Sequence, residues 1–236
     1  MSDILSGPNS LDLLDERIVS LMRYWDHLRA GRPVPARIEV SPASIARHLS
    51  RVCILERPRA GTVRIRLAGA TLSGRMGMEL RGMPFRSLFE VDDRAQAMDA
   101  AETAIVTPSI SILSLERADH TGPQHEAQMA ILPLSDTQGG LTRAIALYSE
   151  TATATPYVNN LRGRFQVSDH RMLEIPETGA LPGLSARAPI HALPKTKQAR
   201  TTPATPTRAQ AAPRVEARVL DHHTRPVFQV IDGGRS

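Results

Sequence analysis

The sequence is short of cysteine, lysine and aromatic residues, and each shortage excludes something. One cysteine, Cys53, stands in 236 residues, so the chain forms no internal disulfide. Flanked by Val52 and Ile54, it reads as a buried thiol in a reducing compartment. Lysine is absent from residues 1–176, where 20 arginines face 20 acidic residues. The formal net charge of +5 therefore belongs wholly to residues 177–236, with 9 basic and 4 acidic side chains. A balanced front part argues against a specific nucleic-acid partner. The tail's cations are scattered among prolines without interleaved aromatics, so any binding to nucleic acid or an anionic membrane would be non-specific and salt-sensitive. No apolar run has the roughly 18 residues of a transmembrane helix. The acidic start "MSDILSGPNSLDLLDERIVS" lacks the basic n-region of a signal peptide. A cytoplasmic protein is expected. Also missing are the nucleophile elbow Gly-x-Ser-x-Gly, the P-loop, His-Glu-x-x-His and Gly-x-Gly-x-x-Gly. Glu79 and Glu102 sit near arginines and read as surface ion pairs. The expectation is that the protein is not an enzyme.

What is present falls into three parts: an amphipathic helix in residues 1–32, an α+β domain in residues 33–172, and a tail in residues 173–236. In the first part Leu11, Leu14, Ile18, Leu21, Trp25 and Leu28 recur in alternating steps of three and four, the seam of an amphipathic or coiled helix. Ser10 is the expected N-cap, and "AGRPVP" ends the helix. Two uses of the seam are open: packing on its own domain, or a homodimer through Leu14, Leu21 and Trp25. The tail is rich in Ala, Pro, Thr and Arg, holds 7 of the 18 prolines within residues 177–236, and is expected to be disordered. Its last apolar run, "VFQVI" at residues 227–231, reads as a short linear motif or a frayed terminus.

In the middle part "SPASIARHLS" predicts a short helix capped by Ser41. "RVCILER" and "TVRIRLAG" predict two strands around the tight turn "PRAG". "EVDDRAQAMDAAETAI" predicts a helix with Ala95, Met98, Ala101 and Ile105 on its apolar face. "SISILSLERAD", "QHEAQMAILPLS" and "LTRAIALYSE" predict three more strands in a meander. The order implies a five-stranded antiparallel sheet with helices inserted between its second and third strands. The insertion is unusual. Between residues 66 and 89, "RLAGATLSGRMGMELRGMPFRSLF" gathers four glycines, three methionines and two of the four phenylalanines.

Residues 20–150 resemble the PAS-like domain proteins of alphaproteobacteria, which stand alone as single-domain chains. The resemblance is carried by "YWDHLRAGRPVPARIEVSPASIARHL", "VCILER", "RIRLAGATLSGRMGMELRGMPFRSLF" and "MAILPLSD". Within these the shared features are Tyr24 and Trp25, the Pro-x-Arg of Pro35 and Arg37, the Arg-Leu-x-Gly ending at Gly69, and the Gly-x-Glu-x-x-Gly from Gly77 to Gly82. It implies a sensory or signalling module that binds a small ligand, a protein partner, or both; a ligand-free interaction adaptor is the alternative. It also implies that the Gly- and Met-rich insertion walls a cavity beside the sheet. Met76, Met78, Met83, Phe85, Leu88 and Phe89 would supply apolar lining, the alternative being a solid core of the same residues. The candidate pocket is Met76, Met83, Phe85 and Phe89, faced by Ile110, Ile112, Met129 and Ile145. No flavin-type Asn-Cys-Arg motif surrounds Cys53, and residues 69–105 hold no histidine for a haem iron. His120, His125 and Glu126 flank the "TGPQ" turn and read as solvated rather than as a metal site. Neither haem, flavin nor metal is expected, and the small organic ligand and the signalling partner are left unnamed.

Overall fold

A computed structural model describes residue 11 and residues 13–117, 125–150 and 163–184. The first element, α1 (Glu16–Arg29), opens on Asp15, whose carboxylate accepts the Arg17 N–H at 2.8 Å. The cap is therefore Asp15 and not Ser10, because the aspartate side chain satisfies an open N–H of the first turn. The helix ends at Ala30 in the left-handed region, φ 48°. Ile18, Leu21, Met22 and Trp25 are buried on it.

A short stretch with 3₁₀ turns at Arg37–Glu39 and Ala46–Arg51 leads into β1 (Val52–Arg59) and β2 (Thr62–Ala68). Gly69 follows, its N–H returning to Val52 O at 2.8 Å. A Cβ at this position would lie 2.3 Å from Leu49 O, so only glycine lets the two segments cross. The insertion then supplies α2 (Ala70–Met76), a 3₁₀ turn at Phe85–Leu88, and α3 (Arg94–Val106). The expected meander follows as β3 (Ser109–Arg117), β4 (His125–Ser135) and β5 (Leu141–Glu150).

The sheet holds six strands rather than five. β6 (Gln166–Glu174) pairs antiparallel with β3, giving the order β2-β1-β5-β4-β3-β6, antiparallel throughout. β6 is an edge strand with a largely exposed, charged sequence, "QVSDHRMLE". Such residues protect an edge from wrong pairing and also erase the apolar alternation by which a strand is read. Packed structure then continues through residues 175–184, beyond the expected domain limit at 172, with Leu181 and Leu184 buried. The rest of the expected tail, from 185 onward, lies outside the described residues.

Both faces of the sheet are covered. On one, α1 meets Ile54, Ile110, Ile112, Leu132, Leu134, Ile145 and Leu147. The Trp25 indole N–H donates to Pro133 O at 2.8 Å, and the Tyr24 hydroxyl accepts the Ser41 N–H at 2.9 Å. The seam residues Leu21 and Trp25 are thus spent on the chain's own sheet, with Leu14 packed beside them. On the other face, α2, the 3₁₀ turn and α3 meet Cys53, Leu55, Val63, Ile65, Leu113, Leu115, Met129 and Ile131. Glu102 of α3 holds the β1–β2 turn, accepting from Arg57 at 2.7 Å and from the Gly61 N–H at 3.0 Å. Among the described residues no helix is long and apolar enough to cross a membrane.

Candidate functional site

The helix-side interior grows out of the insertion. α2 is stopped by Gly77, φ 68°, whose N–H turns back onto Gly74 O. The chain then runs along β2, with Gly82 N donating to Ile65 O at 2.7 Å and Ile65 N donating to Met83 O at 2.9 Å. Pinned there, it drops Phe85, Leu88 and Phe89 inward, all fully buried. The Phe85 and Phe89 rings meet edge-on, centroids 5.1 Å apart. Phe165, just before β6, continues the row at 6.3 Å from Phe89, and Tyr148 of β5 closes it at 5.1 Å from Phe165. Two backbone bonds hold this arrangement: Glu90 N to Phe165 O and Phe165 N to Leu88 O, both 2.9 Å. Opposite, α3 presents Ala97, Ala100, Ala101 and Ala104, all fully buried. A face of methyl groups lets the helix axis lie close to the sheet.

The aromatic row ends in the site's polar handle. The Tyr148 hydroxyl donates to Glu150 Oε1 at 2.8 Å. Arg75 of α2 forks the same carboxylate, Nε to Oε1 at 2.6 Å and Nη2 to Oε2 at 2.7 Å. A bidentate guanidinium–carboxylate pair of this kind fixes direction as well as charge, so it ties α2 to β5 with a defined orientation.

Of the eight residues expected to line a pocket, the structure brings together Met76, Phe85, Phe89 and Met129 on this face. Ile110, Ile112 and Ile145 are buried on the opposite face, under α1. Alternation along a strand says which residues share a face but not which face it is, and here both faces are apolar because both are covered. Met83 is half-buried at the rim, held by its backbone, and Met78 is largely exposed. Tyr148, Phe165 and the α3 alanines Ala97, Ala100 and Ala104 are outside the sequence expectation. Of the expected α3 face, Ala101 and Ile105 are buried and Met98 packs half-buried against the core, while Ala95 is exposed and Ala97, Ala100 and Ala104 complete the face; a helix rich in alanine gives its apolar face little contrast.

The Cys53 thiol is pushed up to about 12 by burial, so it is protonated and unreactive. His170 lies within 2.8 Å of Ser111 Oγ, the reach of a nucleophile and its base. Ser111 is fully buried in β3, however, and the bond serves to tie β6 to β3. Burial depresses His170, with Asp99 and Asp169 opposing. Among the described residues no group of three or more His, Cys, Asp or Glu side chains is placed to hold a metal ion. His120 and the side chains of His125 and Glu126 lie outside what is described.

Comparison with known proteins adds a family. A family model described as "PAS domain" matches residues 16–149, from the start of α1 almost to the end of β5. No curated protein matches the chain. Among solved structures, a sensory box sensor histidine kinase from Vibrio cholerae is 18% identical over 47% of this chain and 89% of its own, at a TM-score of 0.36. The Rhodobacter sphaeroides LOV protein is 11% identical over 49% and 70%, at 0.36. VqmA from Vibrio cholera, in a ligand–DNA complex, is 14% identical over 46% and 49%, at 0.34. The assignment rests on the family match, which spans α1, the inserted helices and the five strands that enclose the aromatic row: the chain belongs to the PAS domain family.

Proposed function

We propose that the protein is a non-enzymatic sensory module, akin to the alphaproteobacterial PAS proteins its motifs resemble, acting in the cytoplasm. It takes a small apolar or amphipathic molecule between the sheet and the α2–α3 layer and passes the event to a protein partner. The observation that carries this reading is the build of the α2 wall. It consists of a two-turn helix and a 3₁₀ turn joined by glycines in left-handed conformations at Gly77 and Gly82. It is tied to the sheet by the Arg75–Glu150 pair, and it carries Met76 against the core. Short elements and a methionine yield to a guest more readily than long packed helices do. A guest beneath this wall displaces α2 and remakes the chain from Arg75 through Glu150 to Tyr148, which turns occupancy into movement.

Native mass spectrometry of the purified full chain tests this. The reading expects a retained small molecule, and expects Phe85→Trp and Met129→Phe to fold but release it. No retained mass, no cellular extract that raises the melting temperature, and a cost of about 1–3 kcal/mol for each enlargement would overturn it. The second reading, a ligand-free adaptor acting by protein contact, then takes its place. It is favoured by the filled row of Phe85, Phe89, Phe165 and Tyr148 against the alanine face of α3.

A further inference from the structure

On the face opposite the aromatic row, residues 175–184 lie along α1. The segment runs against the direction of the helix. Gly179 sits at Arg29, Leu181 at Asp26, and Gly183 so near Leu11 that a Cβ there would come within 2.9 Å of the leucine side chain. Residues 177–180, 182 and 183 are exposed, and only Leu181 and Leu184 are buried. One ion pair holds the backbone. Arg29 Nε bonds Asp26 at 2.8 Å, Nη2 donates to Gly179 O at 2.6 Å, and Nη1 donates to Pro176 O at 3.3 Å. Asp26 in turn accepts the Leu181 N–H at 3.2 Å. Arg29 is fully buried and lies over the Trp25 ring, 5.8 Å from its centroid.

These are the marks of a peptide in a groove rather than of a layer of core. Two apolar anchors three residues apart enter the protein, and the residues between them stay in water. Specificity comes from charged side chains that read the peptide backbone. A core segment would instead bond its backbone within a sheet or helix, and among the described residues this one does so only through the Leu184 N–H to Leu181 O turn. Gly179 and Gly183 both adopt left-handed φ, 86° and 80°, so the occupant's path is one that side chains resist.

We propose that the α1 surface around Trp25, Asp26 and Arg29 is a binding groove for a Leu-x-x-Leu peptide, and that residues 175–184 are its resident, displaceable occupant. The fitting occupant carries glycine two residues before its first leucine, presenting a free carbonyl to Arg29. It carries a second glycine just before its second leucine, where Leu11 crowds the path. Held in cis, the segment masks the groove; released, it opens the groove to a segment of the same chemistry. The inference does not depend on whether the opposite face takes a small molecule.

The test uses the full chain and a synthetic peptide of residues 174–186, with Trp25, the single tryptophan, as the fluorescent reporter. The double variant Leu181→Asp, Leu184→Asp vacates the groove. It should bind the peptide at least tenfold more tightly than wild type, in which the resident segment competes. Adding Asp26→Ala should weaken the peptide at least tenfold, and a peptide carrying the two aspartates should not bind. Hydrogen exchange supplies the second measurement: the Leu181 amide of wild type should exchange well ahead of the amides of β4, through local opening. The proposal is overturned if the double variant folds and ignores the peptide, or if it binds the peptide regardless of Asp26→Ala. It is equally overturned if the double variant fails to fold, or if the Leu181 amide exchanges only as slowly as β4.

Discussion

Phe89 sits at the middle of the aromatic row, and its removal measures how tightly the helix-side interior is filled. The ring is fully buried and touches two others, Phe85 at 5.1 Å and Phe165 at 6.3 Å. Truncating a buried phenylalanine to alanine in a close-packed core costs about 3–5 kcal/mol. Each lost ring contact accounts for about 0.5–1.5 kcal/mol of that. Phe89→Leu keeps most of the buried volume and loses both ring contacts, so it should cost about 1–3 kcal/mol. A domain of this size has a total stability of about 5–15 kcal/mol, so Phe89→Ala should shift the urea midpoint far enough to measure directly. Trp25 is buried on the other face of the sheet, and its fluorescence reports unfolding of the whole domain rather than the local void. Circular dichroism should trace the same transition. The reasoning fails if Phe89→Ala costs less than about 2 kcal/mol, or if leucine is as damaging as alanine. The first result would mean that the ring borders open space, the second that ring shape and contacts rather than filled volume set the cost.

Three further outcomes are expected. Glu102→Gln weakens the bonds to Arg57 and Gly61 and should cost about 1–3 kcal/mol at neutral pH. Because the Gly61 N–H and then Arg57 hold the Glu102 carboxyl below its ordinary 4.5, its stabilisation is present above that value and is lost as pH falls through the lowered one. The gap between wild-type and variant melting temperatures should therefore close in acid. Ala30→Gly relieves an alanine held at φ 48° and should raise stability by about 1 kcal/mol in thermal melts. Leu14→Glu combined with Leu21→Glu should cost several kcal/mol rather than yield a stable folded monomer, since Leu21 is buried on the chain's own sheet. Light scattering together with a melt separates the two outcomes.

Much of the fold was legible because its signals are local. Alternating Val63 and Ile65 against Arg64 and Arg66 predicted β2, and Gly61 predicted the hairpin turn before it. β4 was legible as a strand but not by face: Ala127 to Leu134 is almost wholly apolar, since both sides of the strand are covered. The same ambiguity placed Ile110, Ile112 and Ile145 on the wrong side. β6 was invisible because Asp169, Arg171 and Glu174 suit an exposed edge and not a buried strand. Phe165 was passed over for a related reason: it sits before a polar strand, and its place in the aromatic row depends on long-range bonds to Leu88 and Glu90. The clamp of Arg29 and Asp26 joins residues some 150 positions apart, a separation that no pattern of spacing encodes.

Cys53 gives the molecule a built-in clock. It is the chain's single thiol, it lies on β1 under the helix layer, and burial keeps it protonated. A thiol reagent in solution therefore finds nothing to attack until the layer over β1 lifts away. Opening of the segment along α1, on the far side of the sheet, leaves Cys53 covered. The rate at which the chain takes up one label is then a stopwatch for separation of the helix layer from the sheet, readable by mass in a mixture without purification or a spectroscopic probe. A small molecule that settles against the aromatic row should slow that stopwatch, and one that wedges the wall open should speed it.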